Sequence, residues 1–137
     1  MAEGLFNHLT AKRPKEFAAR SAGISAIDGF PATPETIHVM REEEGIDVSS
    51  HQGKRLRAEM IQEADKIFVM EQFQKDWILS AMPEAEGKVF LMTEFGASDD
   101  DAERGMDVPD PIRMSPSFYK NVLSAIRRSV ERIIKNL

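Results

Sequence analysis

Asp110 stands between two prolines in the run VPDP, Val108 to Pro111. By its neighbours alone it is an aspartate of a proline-rich turn. A lone carboxylate does little chemistry without a nucleophile or a metal beside it. Among 137 residues there is no cysteine. No disulfide, thiolate zinc site, iron–sulfur cluster or cysteine nucleophile is therefore open to these residues. Ser25 follows Gly23 but lacks the closing glycine of a Gly-x-Ser-x-Gly elbow. Gly53-Lys54 is followed by Arg55, with no upstream glycine where a phosphate-binding loop requires one.

Metal and anion chemistry find little more support. Asp99, Asp100, Asp101 and Glu103 lack the glycine and closing glutamate of a calcium loop and read as a solvated acidic loop. His8, His38 and His51 lie far apart on different expected elements, so no shared metal site is expected. Lys54, Arg55 and Arg57 form a small basic patch, suited to an acidic partner or simply to a charged helix face. Trp77 and the eight methionines are expected in the core. Tyr119 stays open between a modification target and a partly buried core tyrosine.

A chain of 137 residues, 42% hydrophobic and 30% charged, fits one domain able to bury a core. The net charge of −5 argues against a general nucleic-acid binder, whose affinity comes from clustered Lys and Arg. No apolar run reaches membrane-spanning length and no basic-then-apolar leader is visible, so a cytoplasmic location is the default expectation.

The elements that must position these groups alternate. Ala2 to Lys12 carries Leu5, Phe6 and Leu9 at helical spacing and is expected to end before Pro14. Glu16 to Ile24 reads as a short strand. Thr33 is placed to cap a helix with Pro34 first, Ile37, Val39 and Met40 inward and Gly45 as its stop. Ser49 or Ser50 is expected to cap a helix carrying Leu56, Met60, Ile61 and Ala64. KIFVM (Lys66 to Met70) and KVFLM (Lys88 to Met92) read as buried parallel strands, with a helix from Gln72 to Met82 between them. Ser98 to Asp110 reads as an exposed loop. Ser115 and Pro116 then open a closing helix with the stripe Phe118, Val122, Ile126, Val130 and Ile133. Such alternation predicts a doubly wound parallel sheet.

In order and spacing, the chain resembles the low-molecular-weight protein-tyrosine phosphatases over essentially its whole length. In that family a strand leads into a Cys-x5-Arg phosphate loop, then Ser-Pro and a helix often beginning Met-Ala-Glu; this sequence begins MAEGLF. RSAGI (Arg20 to Ile24) looks like the family's second strand, and SSHQGKRL (Ser49 to Leu56) like its Ser-His-x-x-Arg stretch. ADKIFVME (Ala64 to Glu71) looks like its third strand, and VPDP like the loop that delivers the general acid. The resemblance implies a thiolate attack on phosphorus, with Asp110 as the acid and no cofactor or metal. It further implies a local structural role for His51, and for Ser21 either a place near the phosphate loop or a hydroxyl satisfying backbone at a strand end. Ile112 and Arg113 occupy positions where many members carry aromatic residues, which weakens the case for aryl-phosphate selectivity. An arsenate reductase of the same fold is excluded for these residues because that chemistry needs several cysteines.

Met1 falls just past the phosphate loop in this register. The expectation is therefore a family domain over residues 1–137 without its first strand, nucleophile and anion-binding amides, and inactive as supplied. An initiator assigned to an internal methionine is the expected origin, with real gene shortening as the other. The expected fold is a three-layer α/β/α parallel sheet of the low-molecular-weight phosphatase type lacking its first, central strand. Such a strand places about four large aliphatics in the core, at roughly 1.5–3 kcal/mol each, a loss comparable to a domain's whole net stability of about 5–15 kcal/mol. A rearranged sheet, strand swapping or a homo-oligomer is expected to fill the gap. The substrate implied for the intact form is a phosphotyrosine protein or other phosphomonoester, with no nucleic-acid or membrane partner. The alternative is a non-catalytic binding or self-assembly module that uses the exposed sheet edge.

Overall fold

Residues 1–13 and 16–137 are described by a computed structural model. The elements, in chain order, are α1 (Ala2–Leu9), α2 (Pro34–Glu44), α3 (Ala58–Glu63), β1 (Ile67–Val69), α4 (Gln72–Ala81), a 3-10 turn at Pro83–Lys88, β2 (Val89–Leu91) and α5 (Pro116–Lys135). The expected stop of the first helix at Pro14 lies outside the described residues; α1 itself closes at Leu9, with Thr10 as its C-cap.

Two helices start and stop where local chemistry dictates. Thr33 Oγ1 accepts the Thr36 N–H at 3.2 Å, Pro34 occupies the first turn, and Gly45 ends α2 in the left-handed region at φ 66°. Ser115 Oγ likewise accepts the Phe118 N–H at 3.2 Å ahead of Pro116. The α5 stripe is buried through Val122, Ile126, Val130 and Ile133, with Tyr119 beside them at 3% exposure, so Tyr119 is a core residue. Both α1 and α2 pack on α5.

Ile67, Phe68 and Val69 pair in parallel with Val89, Phe90 and Leu91. Strand alternation splits the core accordingly. Val69, Val89 and Leu91 join Ile61, Ile78, Met82 and Ala85 on one face, with Ile67 packed against them. Phe68 and Phe90 turn to the other face, where both meet Phe95 edge-on with ring centroids 5.2 and 5.0 Å away. Phe68 and Phe95 lean there on the larger cluster built by α1, α2 and α5. The result is a small parallel sheet between helical layers, an α/β fold with two strands among the described residues.

Four expectations are corrected. Glu16 to Ile24 is not a strand: only Gly23 forms a backbone bridge, to Arg55. The Asn7 side chain instead serves both backbone groups of Ala19, donating to its carbonyl and accepting its N–H at 3.0 Å each. A strand label requires a ladder of backbone partners, and here a side chain fills that place. Second, neither Ser49 nor Ser50 caps α3, which starts at Ala58 behind Arg57. The intervening backbone is held extended, since Leu56 donates to Gly23 and Gln52 bridges Pro31. Third, Trp77 is 44% exposed and Phe73 58%. A capping box between Glu71 and Gln74 fixes the rotation of α4, so Ile78 turns inward and Phe73 and Trp77 outward. Fourth, the methionines divide: Met40, Met82 and Met92 are buried, whereas Met106 and Met114 are about half exposed.

No helix among the described residues is long and apolar enough to cross a membrane.

Candidate active site

The turn that carries Asp110 is anchored before it begins. At the end of β2, the Thr93 hydroxyl donates to the Met106 carbonyl at 2.7 Å. Two residues on, the Val108 N–H donates to the Met70 carbonyl at 2.8 Å, and Val108 is only 3% exposed. Between them, Asp107 accepts the Gln72 N–H, first residue of α4, at 2.9 Å. The loop thus leaves from the C-terminal end of β1, the end at which open parallel sheets gather ligands.

Beyond that root the chain is exposed from Pro109 to Asp110. Asp110 Oδ1 accepts the Ile112 N–H at 3.0 Å, and the Met114 N–H closes on the Pro111 carbonyl at 2.9 Å. Arg113 takes a left-handed φ of 64° to complete the turn, a conformation uncommon for a residue with a side chain. One carboxylate oxygen is held by backbone, and the residue as a whole is exposed.

The acidic segment before it is not simply solvated. Asp101 meets Arg132, Glu103 meets Arg128, and Asp99 meets Arg104. Arg132 also donates through Nε to the Phe95 carbonyl at 3.1 Å and through Nη2 to the Met92 carbonyl at 3.3 Å. The bonds of Arg128 and Arg132 strap the loop to α5, while Asp99 and Arg104 pair within the loop. Among the described residues no three His, Cys, Asp or Glu side chains converge as a metal site.

A concavity of about 360 Å³ opens at the N-terminal end of α1. Glu3, His8, Ser21, Ser50 and His51 contribute to its lining. His8 and His51, far apart in sequence, therefore share one cavity, while His38 stays outside it. The Ser21 hydroxyl donates to the Glu3 carboxylate, not to backbone. No residue of the Asp110 turn lines this cavity.

Beside it, residues 27–30 form a pinned turn. Asp28 accepts the Arg55 N–H at 2.8 Å with one oxygen and the Arg57 guanidinium with the other. The Arg57 hydrogen bond, then that of the Arg55 backbone, holds the Asp28 carboxyl below its ordinary range. Arg57 is therefore neutralised rather than part of a free basic patch. Neither Asp107 nor Asp28 stands out in the sequence, because each partner lies 27 to 35 positions away.

Residues 1–137 match the profile of a family described as low molecular weight phosphotyrosine protein phosphatase. The chain is 35% identical over 111 residues to a probable low molecular weight protein-tyrosine-phosphatase, EpsP, of Ralstonia nicotianae, covering 81% of this chain and 70% of that protein. It is 27% identical over 137 residues to a protein-arginine-phosphatase of Bacillus subtilis, covering 87% of that protein. The crystal structure of a low molecular weight protein tyrosine phosphatase from T. tengcongensis superposes with a TM-score of 0.88 at 34% identity, over 99% of this chain and 88% of that one.

Proposed function

This chain belongs to the low molecular weight phosphotyrosine protein phosphatase family, and we propose that its residues supply the general-acid half and the scaffold of a phosphomonoester hydrolase. Residues 1–137 act in this reading as one domain. Asp110 is the acid: it protonates the leaving oxygen, then takes a proton from the water that clears the phosphorylated nucleophile. The observation that carries the reading is an exposed carboxylate on a turn bolted to the end of β1, in a chain of 137 residues without cysteine.

With no thiolate among these residues, general acid catalysis alone adds only about 10²–10⁴-fold, against the ~10²¹ that phosphate-monoester hydrolysis can demand. The 137 residues on their own are accordingly read as inactive. The substrate class is a phosphorylated protein, the modified residue being tyrosine or arginine by analogy with the named relatives. An assay of the purified chain with p-nitrophenyl phosphate tests this: turnover that Asp110→Ala abolishes would overturn the inactive reading.

A second reading, a binding or self-assembly module, draws on β1, which has a strand neighbour on one side only among the described residues. Sedimentation equilibrium decides it. A dimer or higher assembly favours it; a monomer throughout the micromolar range sinks it.

A further inference from the structure

Arg20, Lys54 and Arg55 lie on two stretches of this acidic chain that the backbone joins at Gly23. The Gly23 N–H donates to the Lys54 carbonyl and the Leu56 N–H to the Gly23 carbonyl, both at 2.9 Å. This single parallel bridge sets Gly23, three residues past Arg20, beside Arg55. Ser21 and His51, from the same two stretches, line the cavity. Arg20, Lys54 and Arg55 are all exposed, and none has an ion-pair partner among the described residues. Of the other arginines, all but Arg113 hold a carboxylate.

Of the nearby acids, Asp28 is ion-paired with Arg57 and Asp47 with Arg41, while Glu3 accepts the Ser21 hydroxyl and keeps its charge. The stretches themselves are held in place, the first by Asn7 and the second by Asp28, so the charges are presented from fixed backbone. In a chain of net charge −5, three exposed cations without an ion-pair partner of their own among the described residues are a recognition feature for anionic side chains.

We propose that Arg20, Lys54 and Arg55 dock an acidic peptide segment, so that the phosphorylated proteins recognised here carry an Asp- or Glu-rich stretch. The substrate clause rests on the phosphohydrolase reading given above; the docking of acidic side chains does not. Exposed charge pairs are individually weak, so the selectivity comes from several acting together and is screened by salt.

Fluorescence anisotropy with three labelled peptides tests it on the full chain: a Glu-rich peptide, the same peptide with a central phosphotyrosine, and a Lys-rich counterpart. The Glu-rich peptide is expected to bind at least about tenfold tighter than the Lys-rich one, and to weaken about tenfold between roughly 50 and 500 mM NaCl. The triple variant Arg20→Glu, Lys54→Glu, Arg55→Glu, with its fold checked by circular dichroism, is expected to lose at least about tenfold in affinity for the Glu-rich peptide. Equal affinity for the Glu-rich and Lys-rich peptides, or binding indifferent to salt, overturns the proposal without any variant. So does a duplex DNA of matched charge that binds more tightly than the peptide. Binding that depends on the three cations, by a fusion that carries a hydrophobic strand and a Cys-x5-Arg loop ahead of residue 1 yet hydrolyses no p-nitrophenyl phosphate, leaves the docking intact and removes the phosphohydrolase reading instead.

Discussion

Asp107 accepts the backbone N–H of Gln72 at 2.9 Å, and through it the root of the Asp110 turn is joined to the first residue of α4. The adjacent bond from Val108 to Met70 makes this a two-point attachment across the end of β1. An acid must be held within hydrogen-bond reach of the group it protonates, so this attachment decides where Asp110 is presented.

Asp107→Ala therefore removes an N-terminal cap supplied from a distant loop, and a loss of about 0.5–2 kcal/mol is expected. Urea denaturation measures it, and amide exchange at Val108 should accelerate in parallel. Asp107→Asn keeps an acceptor oxygen and should recover most of the loss.

Arg132→Met leaves the carbonyls of Met92 and Phe95 without this donor and Asp101 without its cation. A loss of about 1–3 kcal/mol is expected, read as a lower urea midpoint at unchanged slope. Arg132→Lys should fall short of rescue, because a single ammonium cannot reproduce the fork of the guanidinium.

Asp28 gives the clearest pH dependence. Its carboxyl titrates below the ordinary range when folded, so its contribution is present above the unfolded value near pH 4 and is lost as pH falls through the folded one. Acidification below about pH 4 should free residues 27–30 from residues 53–57, which the amide resonances of Gly29 and Gly53 report. Asp28→Asn should bring about the same loosening at neutral pH.

A fusion that places a hydrophobic strand and a Cys-x5-Arg loop ahead of Met1 tests the proposed role of Asp110. The fusion is expected to hydrolyse p-nitrophenyl phosphate, and Asp110→Ala in it should lower kcat by about 10²–10⁴-fold. A fusion that stays fully active with Asp110→Ala would dismiss Asp110 as the acid. Asp110→Ala in the 137-residue chain should leave thermal stability within about 0.5 kcal/mol, since the side chain is exposed.

Where the information was local, the sequence was legible. Thr33, Pro34 and Gly45 frame α2, and Ser115 with Pro116 opens α5, because a cap is read within four residues. KIFVM and KVFLM place β1 and β2 by apolar run alone. The misreadings share a cause in distant partners. Asn7 replaces a strand neighbour for Ala19, Gly23 takes the backbone around Arg55 that Ser49 or Ser50 was expected to lead into a helix, and the Glu71–Gln74 box rotates Trp77 outward. At the candidate site, Asp110 was singled out only through the resemblance of VPDP. Asp107 and Arg132 were not legible at all, since their partners are brought to them by the fold.

Asn7 and Ala19 share a reciprocal pair of bonds, and that reciprocity has a mechanical meaning. A helix side chain that engages a segment through both its donor and its acceptor fixes that segment's rotation as well as its distance. Arg20 and Ser21, next along the chain, are thereby tied to a folded α1.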